Sequence, residues 1–205
     1  MSVVLLHGLG RGPEDWDGVR EPLGRFGDVV APRLPRDPGR ALGIAAGAME
    51  DGAIVVGHSM GGVLALRLGA RPLRALVLTG CFFPPARNGR SLGASVRDYA
   101  AHRVAFVRGA RRRRGAESSA RALASLVRDA ARPGGFGRGV AAPVLVVHAR
   151  DDHHVPVDFA EAAARSRRWD LRVLPRGGHH AHVDAPDAWV AAVVPWLERV
   201  LRGDT

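Results

Sequence analysis

Three short stretches of this 205-residue chain carry side chains able to do chemistry: Gly57-His58-Ser59-Met60-Gly61, "ARDDHHVP" at 149–156 and "GGHHAHVD" at 177–184. The first fits the pattern G-x-S-x-G, in which a sharp strand-to-helix turn displays a serine hydroxyl. Such a hydroxyl is a poor nucleophile at its own pKa. It needs an imidazole to take its proton, and the imidazole in turn needs a carboxylate on its other nitrogen. With 26 glycines in the chain, an accidental match is not rare, so the pattern must be judged by its setting. The two His- and Asp-rich stretches also suggest metal ligation through Asp151, Asp152, His153, His154, His179, His180 and His182. Neither H-E-x-x-H nor another strong zinc spacing accompanies them, so no metal is expected.

The setting is read from the apolar runs. "VVLL" (3–6), "DVVAP" (28–32), "AIVVG" (53–57), "ALVLTG" (75–80), "PVLVVHA" (143–149) and "LRVLP" (171–175) are short and β-rich. They are continuous rather than alternating, as strands buried on both faces by crossover helices should be. Amphipathic segments at about 14–26, 38–50, 60–70, 156–167 and 185–202 predict the helices. The expected fold is therefore three-layer α/β with a mostly parallel six-stranded sheet. A β-rich run ends at Gly57 and a helical stretch begins just after Ser59, which is the strand-turn-helix setting the serine pattern requires. That places Ser59 at the carboxyl end of a central strand, where open α/β sheets place their sites.

Composition narrows the class. A 46% hydrophobic fraction without an 18-residue apolar run argues for a globular protein and against a membrane span. "SVVLLHG" is too short for a secretory core and has no basic residue before it, so the expected location is cytoplasmic. Cys81 is the only cysteine, which excludes an internal disulfide and a thiolate cluster and leaves packing as its role. Net charge is +10, and all 30 basic residues are arginine. The surplus is local: residues 86–139 hold 13 Arg against Asp98, Glu117 and Asp129, while the remainder balances at 17 against 17. "GARRRRGA" at 109–116 is the most charged point of this basic insert, which also shows two apolar helical stripes at about 91–108 and 117–131. Four consecutive arginines raise a nucleic-acid reading, but aromatics are only 5% and show no stacking arrangement, so no specific nucleic-acid binding is expected.

In these segments the sequence resembles the α/β-hydrolase family, across nearly the whole chain. That family presents its triad in the order serine, acid, histidine. "VLVVHARDDHHVP" is similar to the family's acid-bearing segment, and alignment on Val155-Pro156 makes Asp152 the acid, with Asp151 the alternative one residue upstream. "LPRGGHHAHVDAP" is similar to the histidine-bearing segment and singles out His179. "HGLG" at 7–10 resembles the family's oxyanion segment, which implies backbone N–H donors at Leu9 and Met60. His7 and His58 then support turns, His180 and His182 line the pocket or surface, and His148, His153 and His154 are structural or exposed.

The resemblance further implies a single domain, 1–205, with a helical lid insertion at about 82–140 and without the two amino-terminal strands of larger members. It implies a serine hydrolase that cleaves a carboxylic ester or thioester through an acyl-enzyme with Ser59, His179 and Asp152, needing no cofactor. Recruitment as an acyltransferase, a lactonase or a non-hydrolytic biosynthetic enzyme is the alternative within the family. A basic nucleic-acid- or acidic-partner-binding protein is the alternative of another class. The expected partner is a small-molecule acyl substrate, with an acidic carrier protein or an anionic substrate suggested by the arginines.

Overall fold

The computed structural model describes residues 1–81, 83 and 139–204. Six strands form one sheet: β1 (Ser2–Leu6), β2 (Asp28–Val30), β3 (Ile54–His58), β4 (Ala75–Thr79), β5 (Val144–Ala149) and β6 (Asp170–Leu174). Their order is β2-β1-β3-β4-β5-β6 and every pairing is parallel. Among the described residues the helices are α1 (Asp17–Gly24), α2 (Pro38–Ala48), α3 (Met60–Arg67), α4 (Val157–Arg167), α5 (Ala181–Asp184) and α6 (Pro186–Arg202), with a 3-10 turn at Pro13–Trp16.

Alternation along the strands divides the core into two layers. Val4, Leu6, Val55, Leu76, Leu78 and Val146 face α2, α3 and α4. Val3, Leu5, Val56, Val77, Leu145 and Val147 face α1 and α6, where Trp16, Trp189 and Trp196 are buried among them. Both faces are thus covered over the four inner strands β1, β3, β4 and β5, which is why those sequences are nearly all apolar, while the edge strands β2 and β6 carry Asp28, Asp170 and Arg172 at exposed positions. The chain leaves β1 toward β2 on one side, while β3 pairs on the other. The carboxyl ends of β1 and β3 therefore border the point where strand order reverses, the crevice that open α/β sheets use for ligands.

Departures from the expected elements are local. β2 ends at Val30 because it is an edge strand whose ladder stops at the Val4–Val30 pair, and Pro32 has no N–H to extend it. The segment expected at 14–26 divides into the 3-10 turn and α1, and Pro22 lies within α1. Pro156 precedes α4 in an extended conformation (ψ 139°) instead of opening the helix. The four-residue α5 was not expected, since one turn leaves no periodicity to read. The insert's two apolar stripes and its four consecutive arginines lie outside the described residues. No described helix is long and apolar enough to cross a membrane.

Candidate active site

Ser59 follows β3 directly and caps the start of α3 with φ 50° and ψ −114°, a conformation that costs a non-glycine residue energy. The neighbouring glycines explain why the chain can turn so sharply. A Cβ on Gly61 would overlap the Leu6 carbonyl oxygen, one on Gly62 would overlap Cys81 Sγ, and one on Gly57 would come within 2.5 Å of Gly62 Cα. The turn is pinned by the Ser59 N–H, which donates to the Thr79 carbonyl at 3.0 Å. Cys81 is fully buried behind it, and burial pushes its thiol pKa up, which keeps it a protonated packing group.

Residues from distant loops converge on the hydroxyl. His179 Nε2 lies 3.1 Å from Ser59 Oγ, and His179 Nδ1 lies 2.9 Å from Asp152 Oδ2. The carboxylate follows β5 and is buried, and its other oxygen accepts the backbone N–H groups of His154 (2.7 Å) and Val155 (2.9 Å). Burial alone would raise its pKa. The hydrogen bonds from His148 and His179, the His179 charge and the Val155 N–H outweigh burial and hold the carboxyl well below the usual range, so it stays ionised. Asp151 points elsewhere, accepting the Gly178 N–H at 2.9 Å and so tethering the loop that carries His179.

Leu9 lies in the loop after β1, and that loop passes close to the serine: a Cβ on Gly8 would sit 2.8 Å from His58 Nδ1 and 3.4 Å from Ser59 Cβ. His7 fixes the loop by donating from Nδ1 to the Gly8 carbonyl and accepting the Leu34 N–H at Nε2, both at 2.8 Å. Met60 is the first residue of α3, so its N–H has no partner inside the helix.

Several histidine contacts had no sequence signal. His58 donates from Nε2 to the His179 carbonyl at 3.0 Å and so holds the backbone of a residue 121 positions away. His148 donates from Nε2 to the Val155 carbonyl at 2.7 Å, with Asp152 Oδ2 at 3.3 Å. His154, expected to be structural or exposed, stacks on the His179 ring with centroids 4.8 Å apart. Two groups, Asp152-His154-His179 and Asp15-His58-His182, bring potential metal-ligand atoms within 4.8 Å of one another. In the first, both His179 nitrogens are already engaged by Ser59 and Asp152, so a metal there would displace one of those hydrogen bonds.

His182 is fully buried against Trp16, with ring centroids 4.3 Å apart, and against His58 at 4.6 Å. Burial first, then electrostatic repulsion from His180, Arg11 and His179, pushes its pKa down to about 3. In the unfolded chain the same imidazole titrates near its ordinary value of about 6.5. Between those values the unfolded state binds more protons, so stability falls as pH falls, by up to about 1.4 kcal/mol per pH unit for one such group. His182→Phe, which keeps a ring against Trp16, is expected to flatten the decline of the melting temperature between pH 6.5 and 4. An unchanged slope in thermal scans across that range would remove His182 from the account.

A doubly covered parallel sheet with a serine-bearing elbow at its switch point defines a protein class, and comparisons with known proteins agree with that class. Residues 3–193 match the model of the alpha/beta hydrolase family, and the chain belongs to that family. A pimeloyl-[acyl-carrier protein] methyl ester esterase of Aromatoleum aromaticum (strain DSM 19018 / LMG 30748 / EbN1) is 30% identical, with 98% of each chain covered. Among solved structures, an esterase from Exiguobacterium antarcticum superposes with a TM-score of 0.64 at 18% identity, covering 97% of this chain and 92% of that one. A thermophilic esterase from Thermogutta terrifontis gives 0.64 at 20% identity, covering 98% and 90%. At these identities the two structures speak for the fold.

Proposed function

We propose that the chain is a serine hydrolase acting on a carboxylic ester or thioester, with Ser59 as nucleophile, His179 as general base and acid, and Asp152 as its carboxylate partner. The observation that carries this reading is the continuous path from Ser59 Oγ to His179 Nε2 (3.1 Å) and from His179 Nδ1 to Asp152 Oδ2 (2.9 Å). In this reading His179 takes the serine proton as Oγ attacks the acyl carbon, and the carbonyl oxygen becomes an oxyanion received by the Leu9 and Met60 N–H groups. His179 then protonates the leaving alcohol or thiol, and an acyl-Ser59 ester forms. Water, deprotonated by the same imidazole, attacks this ester and releases the carboxylic acid and free serine. Ionised Asp152 stabilises the imidazolium in both halves.

The Aromatoleum relative is named for hydrolysis of a methyl ester on an acyl-carrier-protein-linked chain, which supports an acyl substrate for this chain and an acidic carrier or anionic group as partner. In the same reading the residues at about 82–140, which fall in chain order between β4 and β5, form a helical lid within one domain, 1–205. A cytoplasmic location fits this reading. The test is an acyl-length series of 4-nitrophenyl esters and matching thioesters assayed with and without EDTA. Turnover of at least one series, unchanged by chelator, is expected; turnover that EDTA abolishes and zinc restores would replace the triad with metal chemistry.

A further inference from the structure

A cleft of about 370 Å³ opens between the loop after β1 and the loop after β2, lined by Gly10, Arg11, Arg33, Arg36, Arg40 and Ile44 among others. Two of its four guanidiniums are neutralised: Arg11 pairs with Asp15 at 2.7 Å and Arg33 with Glu14 at 3.0 Å. Arg36 and Arg40 have no ion-pair partner among the described residues, and both are exposed. The nearby Asp37 carboxylate is exposed and caps α2, its Oδ1 accepting the Arg40 backbone N–H at 2.8 Å. Positive charges gathered around one concavity repel each other unless an anion joins them, and a concave wall of like charge focuses its field inward. Planar guanidiniums match the oxygens of phosphate and carboxylate in pairs.

The cleft is tied to the reacting serine. Gly10 follows Leu9 directly in the loop that passes Ser59, and the Arg36 guanidinium packs 3.8 Å from where a Gly10 Cβ would be. The opposite wall includes Leu34, whose N–H is held by His7 at the end of β1. Both walls are therefore fixed to the strand end that presents the oxyanion loop. We propose that this cleft is a subsite for an anionic oxyacid group, a phosphate or a carboxylate, carried by the ester or thioester that Ser59 attacks. This rests on the reading of Ser59 as nucleophile, and it uses arginines other than Arg111, Arg112, Arg113 and Arg114 of the insert.

The experiment compares the parent with Arg36→Ser/Arg40→Ser on two matched pairs at low salt and in 0.5 M NaCl. One pair is S-butyryl-4′-phosphopantetheine and S-butyryl-pantetheine; the other is mono-4-nitrophenyl adipate and 4-nitrophenyl hexanoate. The double variant is expected to lose at least tenfold in kcat/KM on one anionic member at low salt, less in 0.5 M NaCl, with both neutral members within twofold of the parent. The pair that responds tells phosphate from carboxylate. Equal anionic-to-neutral ratios for parent and variant on both pairs overturn the subsite. Calorimetric titration of Ser59→Ala with 4′-phosphopantetheine, pantetheine and adipate reads the cleft without chemistry. Tighter binding of an anion that is lost with Arg36 and Arg40 upholds the subsite even if no ester is turned over, and in that case only the hydrolase reading fails. No difference among the three ligands overturns the subsite even if esters are cleaved.

Discussion

Ser59→Ala is expected to lower ester turnover by at least about four orders of magnitude while the protein stays folded, because removing the nucleophile leaves only the oxyanion donors and binding to act on the substrate. The folded state tolerates the change. Serine and alanine meet the same backbone penalty at φ 50°, the turn is pinned by the backbone N–H of residue 59, and the one hydrogen bond lost is to His179. A lost hydrogen bond of this kind costs about 1 kcal/mol, far too little to mimic such a fall in rate. Melting temperature and kcat, measured on the same preparation, separate the two causes. A variant that keeps more than about one per cent of parental kcat would show that the hydrolytic group lies elsewhere.

Asp152→Asn should be nearly as damaging, and for a reason readable from its hydrogen bonds. Oδ1 accepts two backbone N–H groups, from His154 and Val155, so the amide oxygen of the substituted side chain must occupy that position. Its NH2 then faces His179 Nδ1, which can only accept, and the proton of the neutral imidazole moves to Nε2. An imidazole protonated on Nε2 cannot take the serine proton, so kcat is expected to fall by about three to four orders of magnitude. Asp151→Ala serves as the neighbour control. It loses the bond to the Gly178 N–H and loosens the loop before His179, an expected cost of less than about tenfold. If Asp151→Ala proves the more harmful change, the carboxylate that serves His179 in solution is not the one at 152.

What could be read beforehand follows from how local each cause is. The four inner strands were visible because both faces of the sheet are covered there, so each appears as a near-continuous apolar run; the edge strands β2 and β6 showed only shorter apolar pieces beside Asp28, Asp170 and Arg172. The elbow was visible because its requirements fall within six residues, Gly57 to Gly62, where backbone, the Leu6 carbonyl and Cys81 leave no room for a Cβ. The place of Asp152 also has a local cause: it closes a turn with His154 and Val155, next to Pro156, which stays extended before α4. Contacts between distant segments left no such trace. Nothing in the residues around His58 announces that it holds the carbonyl of His179, and nothing near His154 announces its stacking on the same ring. The arginine cleft was hidden too, since Arg11 and Arg36 meet only when the loops after β1 and β2 are brought side by side by a parallel pairing. The eye is drawn instead to the four consecutive arginines of the insert.

Activation of the Ser59 hydroxyl is open to a direct test by covalent labelling. The parent protein is incubated with a fluorophosphonate at neutral pH, digested, and the modified peptide is located by mass spectrometry. The predicted result is a single adduct on Ser59, in the segment beginning Ala53-Ile54-Val55-Val56, formed quickly by the parent and at least about a hundredfold more slowly by Asp152→Asn and His179→Ala, since an unactivated hydroxyl reacts poorly. An adduct on another serine, or labelling of Ser59 at the same rate in all three proteins, would contradict it.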